Sequence, residues 1–161
     1  MSEIYGFKEQ LRIGKEGEAK LDKFFKEVIG FTIEPVTKEE EIASGFDRKF
    51  IKDDRQCYIE YKTDDKAKTT GNLFIETLSN SNNGKLGWVL TSKADRVTIL
   101  VGSIAYLIKM KELRKHIQTK GNQYRIATAH NPTYVSKGRL LPIKDLNKIK
   151  GVKIYDISGV L

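Results

Sequence analysis

Residues 45–62, Gly-Phe-Asp-Arg-Lys-Phe-Ile-Lys-Asp-Asp-Arg-Gln-Cys-Tyr-Ile-Glu-Tyr-Lys, constrain this chain more than any other stretch. Two short apolar runs, Phe46 to Ile51 and Cys57 to Tyr61, flank a polar knot at Lys52-Asp53-Asp54-Arg55. Aromatic and β-branched residues suit a pleated sheet and Asp suits a turn, so the pattern predicts a β-hairpin. Side chains alternate along a strand. Tyr58, Glu60 and Lys62 therefore share one face of the second arm, and Cys57, Ile59 and Tyr61 share the other. The hairpin can bring Asp47 on the first arm close to Glu60 and Lys62. Two carboxylates and an amine then converge at one point on a sheet.

That convergence is the chemistry of a magnesium site. Mg²⁺ takes hard oxygen ligands, usually one or two carboxylates completed by water and phosphate oxygens. An ion held this way polarises a phosphate and acidifies a bound water. A lysine beside it can stabilise developing charge or orient the water. The competing reading of an isolated Glu-X-Lys is an exposed strand with a surface ion pair, so the neighbouring sequence has to decide. Phe7 to Ile29 reads as a helix, with Leu21, Phe24, Phe25 and Val28 at three- and four-residue spacings. Gly14 and Gly17 weaken its start, placing the firm helix from about Lys15, and Gly30 suits its C-terminal cap. Glu18, three residues before Leu21, borders the apolar stripe and can look toward the sheet. A solvated helix carboxylate is the alternative.

A helix carrying Glu18, then Gly45-Phe46-Asp47, a hairpin and Glu60-Tyr61-Lys62 resembles the PD-(D/E)XK nuclease superfamily. The resemblance covers residues 14–78, and Phe46 stands where the motif has Pro. It implies an α/β fold with a restriction-endonuclease-like core: a mixed, mostly antiparallel sheet flanked by helices. The second and third strands would carry the Asp and the Glu-X-Lys. Asp47 and Glu60 would bind Mg²⁺, or Mn²⁺ in its place, with the backbone carbonyl of Tyr61 as a further ligand. Lys62 would be the catalytic lysine, assisting the nucleophilic water, and Glu18 the first-helix acid that some branches add. Gly71-Asn72-Leu73-Phe74-Ile75-Glu76 resembles a Gly-Asn-X-X-X-Glu segment of some relatives, which would have Glu76 support the site or orient Lys62, a plain strand-end charge being the alternative. The implied activity is that of a metal-dependent endonuclease hydrolysing DNA phosphodiester bonds, with RNA not excluded. One such site cuts one strand, which favours a homodimer or higher oligomer. A non-catalytic nucleic-acid-binding or accessory factor on the same fold stays open as the alternative.

Composition agrees with a nucleic-acid partner. Twenty-nine Lys and Arg against 21 Asp and Glu leave a formal charge of +8 and a pI near 9.4, a balance that favours polyanions. At 161 residues the chain reads as one domain large enough for its own core. Cys57 alone cannot form an internal disulfide or a cysteine zinc cluster, and no signal peptide or membrane-length apolar run is evident, so a cytoplasmic setting away from membranes is expected. His116 and His130 have no partner at zinc-ligand spacing.

The remaining elements are read more coarsely. Phe31 to Glu34 suits a short strand stopped by Pro35, and Lys38 to Glu41 a solvated loop in preference to a turn of helix. Thr63 to Asn72 is a polar loop in which Lys66 and Lys68 are candidate phosphate contacts, with Asp64 and Asp65 ranked below Asp47 and Glu60 as ligands. Leu73 to Leu78 alternates as a strand, and Ser79 to Lys85 is a flexible loop whose Asn side chains could meet base edges, Lys85 adding a cation. Gly87 to Thr91 reads as a strand or rim with Trp88 as a packing anchor. Arg96 to Gly102 and Ala105 to Ile108 read as a strand pair. Met110 to Thr119 suits a helix with Met110, Leu113 and Ile117 on one face; Arg114 and Lys115 on the basic remainder are candidate phosphate contacts, a solvated face being the preferred reading. Beyond it lie a strand at Tyr124 to Thr128, a basic loop at Ser136 to Arg139, a helix start at Pro142 to Ile149 and a closing strand at Val152 to Ile157.

Overall fold

Leu21, Phe24 and Phe25 are buried against the sheet, so the first apolar stripe does form a packed helix. In the computed structural model, which describes residues 2–160 and side chains from residue 8, α1 spans Ser2–Phe24 and closes in a π-helical turn, Phe25–Ile29. The wider π turn rotates Val28 off the stripe and leaves it 59% exposed, so Val28 is not the core residue that its spacing suggested. Gly14 and Gly17 do not delay the helix. Gly17 is buried, and a Cβ there would collide with Thr63 Oγ1, so this glycine serves the close approach of helix to sheet.

Next come β1 (Thr32–Pro35), α2 (Lys38–Ser44), β2 (Arg48–Lys52), β3 (Arg55–Thr63), α3 (Ala67–Thr70), β4 (Asn72–Asn80), β5 (Lys85–Leu86) and α4 (Trp88–Thr91). After them come β6 (Arg96–Val101), β7 (Ile104–Lys109), α5 (Met110–Lys120), β8 (Ile126–His130), β9 (Val135–Pro142) and β10 (Lys153–Asp156). The hairpin is as expected. β2 and β3 pair antiparallel from Arg48–Ile59 to Lys52–Arg55, and the turn holds Asp53 and Asp54 at φ 50° and 64°, a left-handed pair that Asp tolerates.

The fold is α/β. A six-stranded mixed sheet runs β1-β2-β3-β6-β7-β10, antiparallel at each pairing except β3–β6, and an antiparallel four-stranded sheet runs β5-β4-β9-β8. The segment from α3 to α4 makes the crossover that parallel pairing needs. Each face of the larger sheet has its own core. α1 covers Phe50, Ile59, Leu100 and Leu107 on one side, while Leu73, Ile75, Val89, Leu113 and Leu141, from the second sheet, α4 and α5, pack on the other. Each large side chain so buried contributes about 1.5–3 kcal/mol. Among the described residues no helix is long and apolar enough to cross a membrane.

Several local expectations are corrected. Lys38 to Glu41 begins a helix: Thr37 Oγ1 accepts the Glu40 N–H at 3.1 Å, and three glutamates occupy the first turn, where the helix dipole favours them. Gly87 to Thr91 is not a strand: Trp88 to Thr91 forms the short helix α4, with Gly87 as its extended N-cap. Ser136 to Arg139 is not a loop but the middle of β9, which pairs on both sides. The expected helix after Pro142 is a tighter 3₁₀ turn, Ile143–Lys148. The loop at Ser79 to Lys85 is also more ordered than expected. β4 runs on to Asn80, Asn82 Nδ2 donates to Thr133 O at 2.9 Å, and the side-chain carbonyls of Asn80 and Asn83 accept the amides of Asn82 and Lys85. These contacts occupy amide atoms that base edges would need.

Candidate functional site

Asp47 is placed by backbone. α2 ends at Gly45, whose φ of 71° suits glycine and whose N–H donates to Glu41 O at 2.7 Å. The segment after α4 grips this turn, with Ser92 Oγ donating to Gly45 O and the Lys93 amide to Ser44 O, both at 2.8 Å. Phe46 then stacks on Tyr58, ring centroids 4.4 Å apart, and fixes the chain as it enters β2. Asp47 donates its N–H to Ile59 O at 2.9 Å and accepts the Tyr61 N–H on Oδ2 at 2.7 Å. The first carboxylate is thus fastened to the strand that carries the second.

Glu60 and Lys62 project from β3 on the same face. Lys62 Nζ lies 3.0 Å from Glu60 Oε1 and 5.6 Å from the centre of the Trp88 ring, so Trp88 is a packing anchor beneath the amine. Glu60 is only 5% exposed, and its second oxygen, Oε2, has no hydrogen-bond partner among the described residues. A buried acceptor left unpaired is costly, and a cation or donor supplied from outside relieves it. Burial raises the Glu60 pKa; Lys62 and the nearby Ser92 hydroxyl only partly offset this, and the charge of Asp47 adds to it. For Lys62, burial pulls the pKa down, but Glu60, Glu76 and Asp47 outweigh it and the net shift is upward. Lys62 is therefore an ammonium at neutral pH, a source of positive charge and of N–H donors and not a base.

Glu18 reaches the same region. Its Oε2 lies 4.0 Å from Arg48 Nη2; burial raises its pKa, Arg48 lowers it, and Asp47, Glu41 and Asp22 raise it again. Three partners escaped the sequence reading. Asp22 accepts Arg48 Nε at 3.1 Å and Nη2 at 3.2 Å, and also the Tyr61 hydroxyl at 3.0 Å. Arg48 in turn donates to Asp47 O at 3.0 Å and lies over the Tyr61 ring, 5.1 Å from its centre. Glu41, on α2, has its pKa raised by burial first and then by the charge and hydrogen bonding of Asp47. Asp22 stands one helical turn beyond Glu18, a spacing that could have flagged it. Nothing in the run of glutamates at 39–41 singled out Glu41.

The outlying calls divide. Glu76 is drawn into the site: burial raises its pKa, while Lys62, the Trp88 amide and Lys85 lower it. Lys66, Lys68, Lys85 and Lys115 are exposed, and Lys68 is 3.6 Å from Asp65. Arg114 is a correction. Its Nε and Nη2 donate to the carbonyls of Val89 and Ser92 at 2.7 and 2.6 Å, so it ties α5 to the end of α4 and is not free to meet phosphates. Asp64 is likewise structural, accepting the Ala67 amide at 3.2 Å and the Phe74 amide at 2.8 Å and so tying the start of α3 to β4.

The donors fit a hard divalent ion. Asp47 and the unpaired oxygen of Glu60 are carboxylate donors of the kind Mg²⁺ or Mn²⁺ takes and would hold such an ion, with the Tyr61 carbonyl following directly on β3. Among the described residues no three His, Cys, Asp or Glu side chains gather into a site of their own. Water and phosphate oxygens would have to complete the shell, as is usual for Mg²⁺.

One consequence is thermodynamic. A carboxyl whose folded pKa exceeds its ordinary 4.5 holds its proton more tightly folded than unfolded. Its contribution to stability is full below about pH 4.5 and is lost as pH rises through the folded value. Glu60→Gln cannot ionise and keeps it. Calorimetry in EDTA should find the variant melting above wild type at about pH 8 and level with it at about pH 4. A variant melting below wild type at both would overturn this account of Glu60.

Comparisons with protein-family models, with curated proteins and with solved structures returned no match.

Proposed function

We propose that this chain is a metal-dependent endonuclease acting on DNA phosphodiester bonds. Asp47 and Glu60 are its Mg²⁺ or Mn²⁺ ligands, and Lys62 is the cation at the scissile phosphate. One observation carries the reading: Glu60 is buried beside the Lys62 ammonium with one oxygen unpaired, on the strand to which Asp47 is hydrogen-bonded. Asp47 immediately precedes β2 and Glu60-X-Lys62 lies on β3, the second and third strands in sheet order, which supports the reading.

When bound, the ion would supply charge to phosphate oxygens and acidity to a water. The chain's own residues do the rest. Asp47 is held in place by the Tyr61 amide. Arg48, locked to Asp22, keeps the start of β2 against α1. Lys62 remains protonated and can donate to a phosphate oxygen or to the attacking water as charge builds. The excess of basic residues elsewhere offsets the acidic site and favours approach of a polyanion.

The test is cleavage of supercoiled plasmid, a branched junction and single-stranded DNA with Mg²⁺, Mn²⁺ or EDTA, wild type beside Asp47→Ala. Metal-dependent cutting that Asp47→Ala abolishes is the expected result. Salt-sensitive binding without cutting would replace the enzyme with a binding factor. Neither binding nor cutting would end the nucleic-acid reading.

A further inference from the structure

A second concavity lies beyond the end of β3, away from the carboxylates. It is an open cleft of about 880 Å³ between α3, the β6–β7 turn and the start of the 3₁₀ turn that follows β9. Its walls carry Lys68 and Lys144 and no Asp or Glu, the opposite of the acidic site on β3. Val101, Ile104, Pro142 and Ile143 supply an apolar surface between the two lysines. Lys144 is exposed and has no ion pair among the described residues; Lys68 has only its exposed partner Asp65. Such a pair is worth little and exchanges readily for a stronger anion.

Tyr106 adds the decisive detail. It stands on β7, only 8% exposed, with its ring packed in the core and its side chain lining this cleft. Yet its hydroxyl makes no hydrogen bond within the described chain. The other well-buried tyrosines place theirs: Tyr61 on Asp22, and Tyr124 between His116 and Asp145. That hydroxyl is not sealed in the core: it opens onto the cleft, where water meets it in the free protein and a ligand seated there can replace that water.

We infer that this cleft binds a nucleotide, with its base against Ile104 and Pro142 and within reach of the Tyr106 hydroxyl, and its phosphate between Lys68 and Lys144. An anion alone would explain the lysines but neither the apolar walls nor the phenol. An apolar ligand alone would explain the walls but not two cations without a carboxylate. A nucleotide has a flat apolar face, hydrogen-bonding edges and an anionic phosphate, and so answers to all three features of the cleft. The cleft is distinct from the candidate site on β3: none of Asp47, Glu60, Lys62 and Glu76 lines it.

The inference stands apart from cleavage, because it is read in EDTA. Titration of ¹⁵N-labelled protein with 5′-dAMP should give saturable amide shifts within residues 67–72, 101–104 and 142–144. Inorganic phosphate should bind at least about tenfold more weakly. Tyr106→Phe removes a hydroxyl that holds nothing in the fold, so it should fold normally and weaken dAMP by about tenfold, the scale of one lost hydrogen bond. Lys144→Ala should weaken both ligands. Equal binding of dAMP and phosphate would reduce the cleft to an anion site and overturn the nucleotide. Unchanged affinity in Tyr106→Phe, or shifts confined to Asp47 and Lys62, would overturn the cleft itself.

Discussion

Lys62→Ala should lower the proposed metal-dependent cleavage by about 10²–10³-fold, the usual cost of removing one donor aimed at developing charge. The ammonium is 3.0 Å from Glu60 and kept charged by three carboxylates, so its loss removes positive charge where a phosphate would sit. A second effect follows from the same contact. Without Lys62, Glu60 is a buried carboxylate stripped of its countercharge, and the metal-free variant should melt below wild type. Saturating Mg²⁺ would supply the missing countercharge and bring the two melting points together. Single-turnover cleavage, with melting in EDTA and in Mg²⁺, checks both halves. Cleavage within about threefold of wild type would remove Lys62 from the chemistry.

Phe25→Ala should cost about 3–5 kcal/mol, the range for emptying a buried aromatic site. Phe25 is fully buried, and its ring meets Phe50 at 5.0 Å, Phe24 at 5.4 Å, Tyr155 at 6.0 Å and Phe31 at 6.3 Å. It joins the end of α1 to β2 and β10, so the cavity would open between three elements and could not collapse onto one. Loosening α1 would also release Asp22 from Arg48 and Tyr61, and Glu18 with it. Urea unfolding measures the loss, and Phe25→Leu, which leaves a smaller void, should recover more than half. A cost under about 1 kcal/mol would mean that the rings contribute little beyond filling space.

Part of the candidate site was legible because its spacing is local. Asp47, Glu60 and Lys62 lie within one hairpin, where alternation and a two-residue turn decide which side chains meet. Glu18 was legible through its place on an amphipathic stripe. Asp22 and Glu41 were not, because their partners lie on other elements: Asp22 pairs with Arg48, 26 positions away, and Glu41 reaches Asp47 only after α2 has been turned back by Gly45. Arg114 misled for the converse reason. Its basic neighbours suggested a phosphate contact, while its actual partners are carbonyls 22 and 25 positions earlier.

The chain alone determined the hairpin, the helix that packs on it, the β6–β7 pair and the buried face of α5, all set by periodicity and turn chemistry within short windows. Tertiary structure decided the rest. The parallel pairing of β3 with β6, the second sheet that turns a basic stretch into β9, and the cleft beneath Tyr106 all join residues more than thirty positions apart. Such contacts form only when burial of two cores outweighs the entropy of closing long loops, a balance over the whole chain that no short window contains.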